Sequence, residues 1–241
     1  MSEGARLLIV DDEPDTCANL QDIFSDLGYA TDVASDGPSA LELVKSKHFD
    51  VALLDLKMPG MDGLELYRKI RELSSGTVAL IVTAYAASET AKAAIDAGAW
   101  RILPKPVDLK QLLDLVGVAL EQPLILVVDD DHDLCESLWD LFREHDYRIC
   151  LAHNLPEAES RLANAGYHVV LIDMKLPIGS GDEVLQIVRQ RHPSVRTVMI
   201  AGHRGEMEQL VEQAIASGAD AVCYKPFDLT HLLETVGHLV K

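Results

Sequence analysis

An internal repeat constrains this chain more than any other feature of its sequence. The run LLIVDD at 7–12 returns as ILVVDD at 125–130, and LLDLKMP at 53–59 returns as LIDMKLP at 171–177. Both matches have the same offset of 118 residues, so Asp11 corresponds to Asp129 and Asp55 corresponds to Asp173. A repeat of that length is a whole domain rather than a solenoid unit. The sequence therefore predicts two homologous domains, 1–121 and 122–241, joined near Gln122-Pro123.

Apolar runs alternate with helical patterns throughout the first half. Predicted strands occupy 6–10, 29–33, 50–54, 78–82 and 100–103, and predicted helices occupy 14–27, 38–46, 63–73, 88–97 and 108–120. The second half repeats the pattern, with strands starting near 124, 147, 168, 195 and 220. Strands that alternate with helices form right-handed βαβ units around a parallel sheet. The predicted fold class is α/β, with two doubly wound domains.

Charge and composition exclude several classes of function. Lys and Arg total 21 against 39 Asp and Glu, a net charge of −18, which argues against a nucleic-acid-binding surface. No apolar stretch approaches ~18 residues, so no membrane span is expected. The four cysteines form no CxxC pair, and the N-terminus does not resemble a secretory signal. We expect a cytoplasmic protein with reduced thiols.

Acidic residues follow two of the predicted strands. Asp11 and Asp12 come after the first strand, and Asp55 comes after the third. Ligands of open α/β sheets bind at the carboxyl ends of strands, where these three carboxylates would crowd together. Their mutual repulsion is relieved by a hard cation, and Mg²⁺ prefers carboxylate, water and phosphate oxygens. The pattern predicts a Mg²⁺ site at this edge of the sheet.

Two further side chains at strand ends fit a phosphoryl group. Lys105 ends the fifth strand and offers a positive charge, and Thr83 ends the fourth and offers a hydroxyl donor. Taken singly, Asp55 could be a turn residue, Thr83 a helix cap and Lys105 a loop residue. Their joint occurrence at successive strand ends favours phosphoryl transfer to Asp55.

As a set, these motifs resemble the receiver domain of bacterial two-component response regulators. The resemblance covers the first domain and rests on five segments: Asp11-Asp12, Asp55, 57–63 (KMPGMDG), Thr83-Ala84 and Lys105-Pro106. It implies a flavodoxin-like (βα)5 domain with strand order 2-1-3-4-5. It also implies that Asp55 accepts phosphoryl from a histidine kinase, a phosphotransfer protein or a small acyl phosphate.

The resemblance also assigns roles to the site residues. Asp12, Asp55 and the Lys57 carbonyl would bind Mg²⁺, with Asp11 assisting through water. Thr83 and Lys105 would bind the phosphoryl group. The face made by the fourth helix, fifth strand and fifth helix would then rearrange for a downstream protein partner, or for homodimerisation.

The match has departures, and most of them lie in the second domain. The corresponding residues of that domain are Asp129, Asp130, Asp173, Lys175 and Lys225, so metal binding and phosphorylation are expected there too. However, Ala201 stands at the position of Thr83, and 178–181 (IGSG) differs from the family pattern. In the first domain, Ile102 replaces an aromatic residue that is usual in the family, and Pro104 is uncommon. The second domain is therefore expected to signal weakly.

The leading hypothesis is a tandem-receiver regulator without a DNA-binding or enzymatic output of its own. Its chemistry would be limited to self-phosphorylation and autodephosphorylation, and its output would pass through protein contacts. Alternatively, the chain is the receiver portion of a longer hybrid kinase or regulator, with the second domain a pseudo-receiver docking module. A Mg²⁺-dependent phosphohydrolase is disfavoured, because it needs an acid where Lys57 stands. The histidines His48, His168 and His203 are expected to be solvated side chains rather than relay groups.

Overall fold

Parallel sheets are the framework of both halves of the chain. The computed structural model describes residues 4–163, 166–202 and 208–241. The chain divides into one unit of Met1–Gln122 and another of Pro123–Lys241. Within the described ranges, every helix is too short or too polar to cross a lipid bilayer.

The first unit alternates strands and helices without exception. Its elements are β1 (Arg6–Val10), α1 (Pro14–Asp26), β2 (Ala30–Ala34), α2 (Gly37–Ser46), β3 (Val51–Leu54), α3 (Gly63–Leu73), β4 (Val78–Thr83), α4 (Glu89–Asp96), β5 (Arg101–Pro104) and α5 (Leu109–Glu121). All strand pairs are parallel, and the order in the sheet is β2-β1-β3-β4-β5. The predicted fold class and strand order are confirmed.

The second unit repeats this arrangement. Its elements are β6 (Leu124–Val128), α6 (His132–Glu144), β7 (Arg148–Ala152), α7 (Leu155–Leu162), β8 (Val169–Asp173), α8 (Gly181–Arg191), β9 (Arg196–Ala201), α9 (Glu208–Ala216), β10 (Ala221–Tyr224) and α10 (Leu229–Leu239). The sheet order β7-β6-β8-β9-β10 is the order of the first unit. Two residues separate α5 from β6, so the units are joined almost directly.

Strand β3 shows why both faces of the sheet are covered. Its residues are all buried and alternate between two cores: Ala52 and Leu54 pack with α2, α3 and α4, while Val51 and Leu53 pack with α1 and α5. A central parallel strand has helices on both sides, so it is apolar at every position rather than at alternate ones. Burial on both faces fixes the strand, and hence Asp55, which follows it.

Hydrogen bonds to Asp220 connect two strands of the second sheet at the end where those strands begin. Asp220 precedes β10, and its carboxylate accepts hydrogen bonds from Thr197 N at 2.8 Å and from the guanidinium groups of Arg189 and Arg196. Burial alone would raise the pKa of Asp220, but these donors outweigh it and lower the pKa below 3.8. The stability that Asp220 contributes is therefore present above pH 3.8 and lost as the pH falls through its lowered value.

We expect Asp220→Asn to destabilise the second domain at pH 7 by about 1–3 kcal/mol, because charge-assisted hydrogen bonds are lost. The difference in unfolding free energy between the variant and wild type should vanish at a pH below the lowered pKa of Asp220. Urea unfolding can be followed by Trp139 fluorescence in a Trp100→Phe background, since each domain holds one tryptophan. Asp140→Asn, an exposed site on α6, is the control. A difference that persists unchanged at low pH would contradict this account.

Candidate functional site

The three acids of the first domain converge at the carboxyl end of its sheet. Strands β1 and β3 are neighbours with Val10 opposite Leu54, so Asp11, Asp12 and Asp55 leave the sheet side by side. One carboxylate oxygen from each lies within 4.8 Å of the other two. Asp11 and Asp55 are 3% and 7% exposed, while Asp12 faces solvent. The three carboxylates therefore form a cluster that is open to solvent on one side.

Lys105 is bonded to two of these acids. Its Nζ lies 2.7 Å from Asp11 Oδ2 and 3.0 Å from Asp55 Oδ2. The backbone holds it there, because Lys105 N donates to Thr83 O at 3.0 Å. The sequence predicted Lys105 as a phosphoryl ligand but not this double ion pair.

The electrostatics of this site reflect burial and like charge. Burial raises the pKa of Asp11, although Lys105 and the Glu13 N–H lower it in part. Burial alone would lower the pKa of Lys105, but its bonds to Asp11 and Asp55 outweigh that effect and raise it above 10.5. Lys105 therefore stays charged at neutral pH and partly offsets the carboxylates around it.

Thr83 and Lys57 border the acid cluster. Thr83 is fully buried at the end of β4, and its Oγ1 accepts a hydrogen bond from Tyr85 N at 3.2 Å. Lys57 N donates to Asp55 Oδ1 at 3.3 Å, and Lys57 Nζ lies 4.8 Å from the centre of the Tyr85 ring. Sequence reasoning did not foresee this contact between Lys57 and Tyr85, because it depends on the paths of two loops.

The segment after Asp55 is packed against the site without spare room. A Cβ atom on Gly63 would lie 2.1 Å from Asp55 O, so only glycine fits there. Asp62 caps α3 by accepting from Glu65 N at 2.8 Å. A cleft of about 360 Å³ opens between this segment and α4, and it is lined in part by Asp12, Lys57 and Thr90. A small anion could reach the acids through it.

The second domain reproduces the acid cluster and its lysine. Asp129, Asp130 and Asp173 again place ligand oxygens within 4.8 Å of one another. Lys225 Nζ lies 2.7 Å from Asp129 Oδ2 and 2.6 Å from Asp173 Oδ2. Lys175 N donates to Asp173 Oδ1 at 3.0 Å, as Lys57 N does to Asp55. Burial raises the pKa of Asp129, although the Lys225 amine lowers it in part.

The two sites differ at the end of the fourth strand of each domain. Ala201 is fully buried where Thr83 stands in the first domain, and its carbonyl accepts from Lys225 N at 2.8 Å. The second domain thus keeps the backbone hydrogen bond that Lys105 makes to Thr83, but it lacks the hydroxyl group of Thr83. His203 lies outside the residues that the structure describes.

The other two histidines of the sequence prediction differ in their exposure. His48 Nε2 is buried and lies 3.8 Å from Asp50 Oδ1, and His168 Nδ1 accepts from Leu124 N at 3.1 Å. The expectation of a solvated side chain holds for His168, which is exposed, whereas His48 is half-buried. The hydrogen bond of His168 reaches the first residue of β6, so this ring helps to hold the start of that strand.

Comparisons with known proteins agree with this geometry. The family model described as "Response regulator receiver domain" matches twice, at residues 7–117 and 125–237. A response regulator receiver protein of Anaeromyxobacter sp. (strain Fw109-5) is 32% identical over 234 residues, which are 97% of this chain and 94% of that protein. The regulatory protein AtoC of Escherichia coli (strain K12) is 40% identical over 116 residues, 48% of this chain and 25% of that protein.

Two solved structures each cover about half of this chain. A CheY-like receiver domain protein from Methanospirillum hungatei JF-1 is 32% identical, covers 49% of this chain and 94% of its own, and has a TM-score of 0.48. TrrA from Thermotoga maritima, solved in complex with Mg(2+)-BeF, is 30% identical over 48% of this chain and 99% of its own, with a TM-score of 0.44. The two family matches and the full-length relative decide the assignment: the chain belongs to the response regulator receiver domain family of two-component systems and carries two such domains in tandem.

Proposed function

We propose that Asp55 is the phosphoacceptor of the first receiver domain and that Asp173 serves the second. We also propose the division of labour predicted from the sequence: 1–121 is a complete receiver, and 122–241 is a divergent one. The observation that carries the proposal is the convergence of three acids and one lysine at the carboxyl end of each sheet. Phosphoryl transfer needs mainly such positioning and charge neutralisation.

The transfer step uses a carboxylate oxygen of Asp55. This oxygen bonds to phosphorus while the P–N bond of a phosphohistidine, or the P–O bond of an acyl phosphate, breaks. The leaving group keeps the electron pair of the broken bond. Lys105, now shared between Asp11 and Asp55, would turn to an oxygen of the incoming group, and the Thr83 hydroxyl would donate to another.

The donor set fits Mg²⁺. Its members are carboxylate oxygens within 4.8 Å of one another, which a hard cation with several water ligands accepts. Asp12, Asp55 and the Lys57 carbonyl would hold the ion, with Asp11 acting through water. In the second domain Asp130, Asp173 and the Lys175 carbonyl would hold the ion, and Asp129 would act through water. When bound, Mg²⁺ would supply positive charge next to the phosphoryl oxygens.

Partners follow from the same proposal. A histidine kinase or phosphotransfer protein would deliver the phosphoryl group, and a cleft of about 590 Å³ between α1 and the loop after β5, which reaches Lys105 and is lined by Thr16 and Leu20, leaves room for such a donor. The output of the protein is proposed to pass through the face made by α4, β5 and α5. This face would contact a downstream protein or a second copy of the chain. The chain spans 94% of the Anaeromyxobacter relative, but 25% of AtoC, 28% of a ZraR protein and 47% of an MprA protein, so an output domain on a longer chain is the alternative proposal. The cytoplasmic location remains a prediction.

A Mg²⁺-dependent phosphohydrolase is the weaker candidate. Such an enzyme needs a second acid two residues after the nucleophile, and Lys57 occupies that position. Its ammonium group lies against the Tyr85 ring and cannot act as a general acid–base carboxyl group. We therefore propose no turnover chemistry beyond gain and loss of the phosphoryl group.

Intact-mass analysis after incubation with acetyl phosphate and Mg²⁺ tests the acceptor assignment. We expect wild type to gain two phosphoryl groups, Asp55→Asn and Asp173→Asn one each, and the double variant none. Phosphorylation that survives in the double variant would place the acceptor elsewhere. A single group that is lost only in Asp55→Asn would confine acceptance to the first domain.

The missing hydroxyl at Ala201 should weaken the response of the second domain. A hydrogen bond to a charged group is worth about 1.5–3 kcal/mol, which shifts a two-state population by about tenfold or more. With beryllofluoride and Mg²⁺, amide chemical shifts of the intact chain should change less at 196–202 than at 78–84. Thr83→Ala should reduce the first response, and Ala201→Ser should increase the second. Equal responses in the two wild-type domains would refute this.

A further inference from the structure

Two histidines distinguish the second domain from the first near its acid cluster. His132 begins α6 and His153 follows β7, where Pro14 and Ser35 stand in the first domain. Their ring centroids lie 3.8 Å apart, with an angle of 33° between the ring planes. His132 is exposed and His153 half-buried, so the pair is open to solvent on one side.

The hydrogen bonding of His153 fixes which of its nitrogens is available. Its Nδ1 lies 3.0 Å from Asp129 O, and a carbonyl oxygen can only accept, so Nδ1 carries the proton. The lone pair of the neutral ring is therefore on Nε2. A histidine that donates one ring N–H to a backbone carbonyl and keeps the other nitrogen free is the usual arrangement of a metal ligand. The bond from His153 N to Glu157 Oε2, at 2.9 Å, holds the backbone in place.

We propose that His132 and His153 form a binding site for a divalent transition-metal cation that prefers imidazole, of the class of Zn²⁺, Cu²⁺ or Ni²⁺. Two nitrogens on one such ion, each ~2.0–2.1 Å from it, lie roughly 3–4 Å apart. Because the lone pair of each nitrogen lies in the plane of its ring, the two adjacent rings would turn out of their stack to direct both lone pairs at one ion. Water would complete the coordination on the exposed side. The carboxylate cluster has no imidazole and favours Mg²⁺, so the two sites select different cations.

Zinc titration of the intact ¹⁵N-labelled chain in excess Mg²⁺ tests the proposal. We expect one equivalent of Zn²⁺ to shift the ring ¹⁵N resonances of His132 and His153 with a common midpoint. Competition with a chromophoric chelator should show that affinity falls at least about tenfold in His132→Ala and in His153→Ala, because loss of a ligand costs at least as much as loss of a group that supports one.

His145 provides a matched control. Its Nδ1 is likewise held by a backbone carbonyl, that of Leu141 at 2.9 Å, but its ring stacks on no imidazole of the described residues. His145→Ala should leave zinc affinity unchanged. Separate midpoints for His132 and His153, or affinity lost in Asp173→Asn and kept in both histidine variants, would overturn the proposal. The pair would then be an aromatic stack only.

Discussion

Replacing Lys105 with Met should slow the loading of Asp55 by acetyl phosphate by about 100-fold or more. The ammonium group lies 3.0 Å from Asp55 and is the cation that the chain itself supplies to the site. Removing one preorganised charge or donor from a transition state costs roughly 10²–10³ in rate. Met retains most of the chain length, so packing should change little. The rate is measured by intact mass in an Asp173→Asn background, with Lys45→Met on exposed α2 as the control.

The same substitution should tighten Mg²⁺ binding. Lys105 is the positive charge nearest the acid cluster, and its loss leaves the three carboxylates more strongly attractive to a divalent cation. Slower loading together with tighter Mg²⁺ binding would separate a direct effect from a general loss of structure, which would weaken both. Loading at the wild-type rate, or weaker Mg²⁺ binding, would contradict the role we assign to Lys105.

Gly63→Ala should destabilise the first domain by about 3 kcal/mol, the upper end of what overpacking costs. The new methyl group would lie 2.1 Å from Asp55 O and 2.9 Å from Leu56 Cα, and backbone atoms cannot move aside as a side chain can. For a domain of this size, the melting temperature should fall by roughly 10 °C. Trp100 fluorescence in a Trp139→Phe background reports on this domain alone.

Gly117→Ala is the matched control, because its added methyl group would meet nothing within 4 Å in the interior of α5. There alanine should stabilise the helix by about 0.5–1 kcal/mol. The two variants make the same chemical change with opposite expected signs. If Gly63→Ala melts like wild type, the close approach of α3 to Asp55 is not rigid, and our view of how Asp55 is held fails.

The succession of elements was predictable because buried parallel strands are apolar throughout and the helices between them are not. The bounds were less so: the strand predicted at 29–33 lies at Ala30–Ala34, and that predicted at 100–103 lies at Arg101–Pro104. Pro104 extends β5 by pairing with Thr83 at the edge of the sheet, where its missing N–H breaks no ladder.

The meeting of the acids was also predictable, since the carboxyl ends of parallel neighbours share one edge of a sheet. Contacts that depend on the paths of loops could not be predicted from the sequence. The pairing of Lys105 with both Asp11 and Asp55, and the contact of Lys57 with Tyr85, join segments whose separation no periodicity sets. The signal for the first was available: a lone cation at a strand end beside three anions should pair with them.

The four cysteines of the chain are all free thiols and all buried, with one in the first domain and three in the second. Burial raises the pKa of Cys135 to about 12, so its reactive thiolate is scarce at neutral pH. An alkylating reagent should therefore modify each domain only while it is unfolded. Pulse labelling read by mass would distinguish the two events by the number of adducts, one or three, and so time the opening of each half of the chain separately.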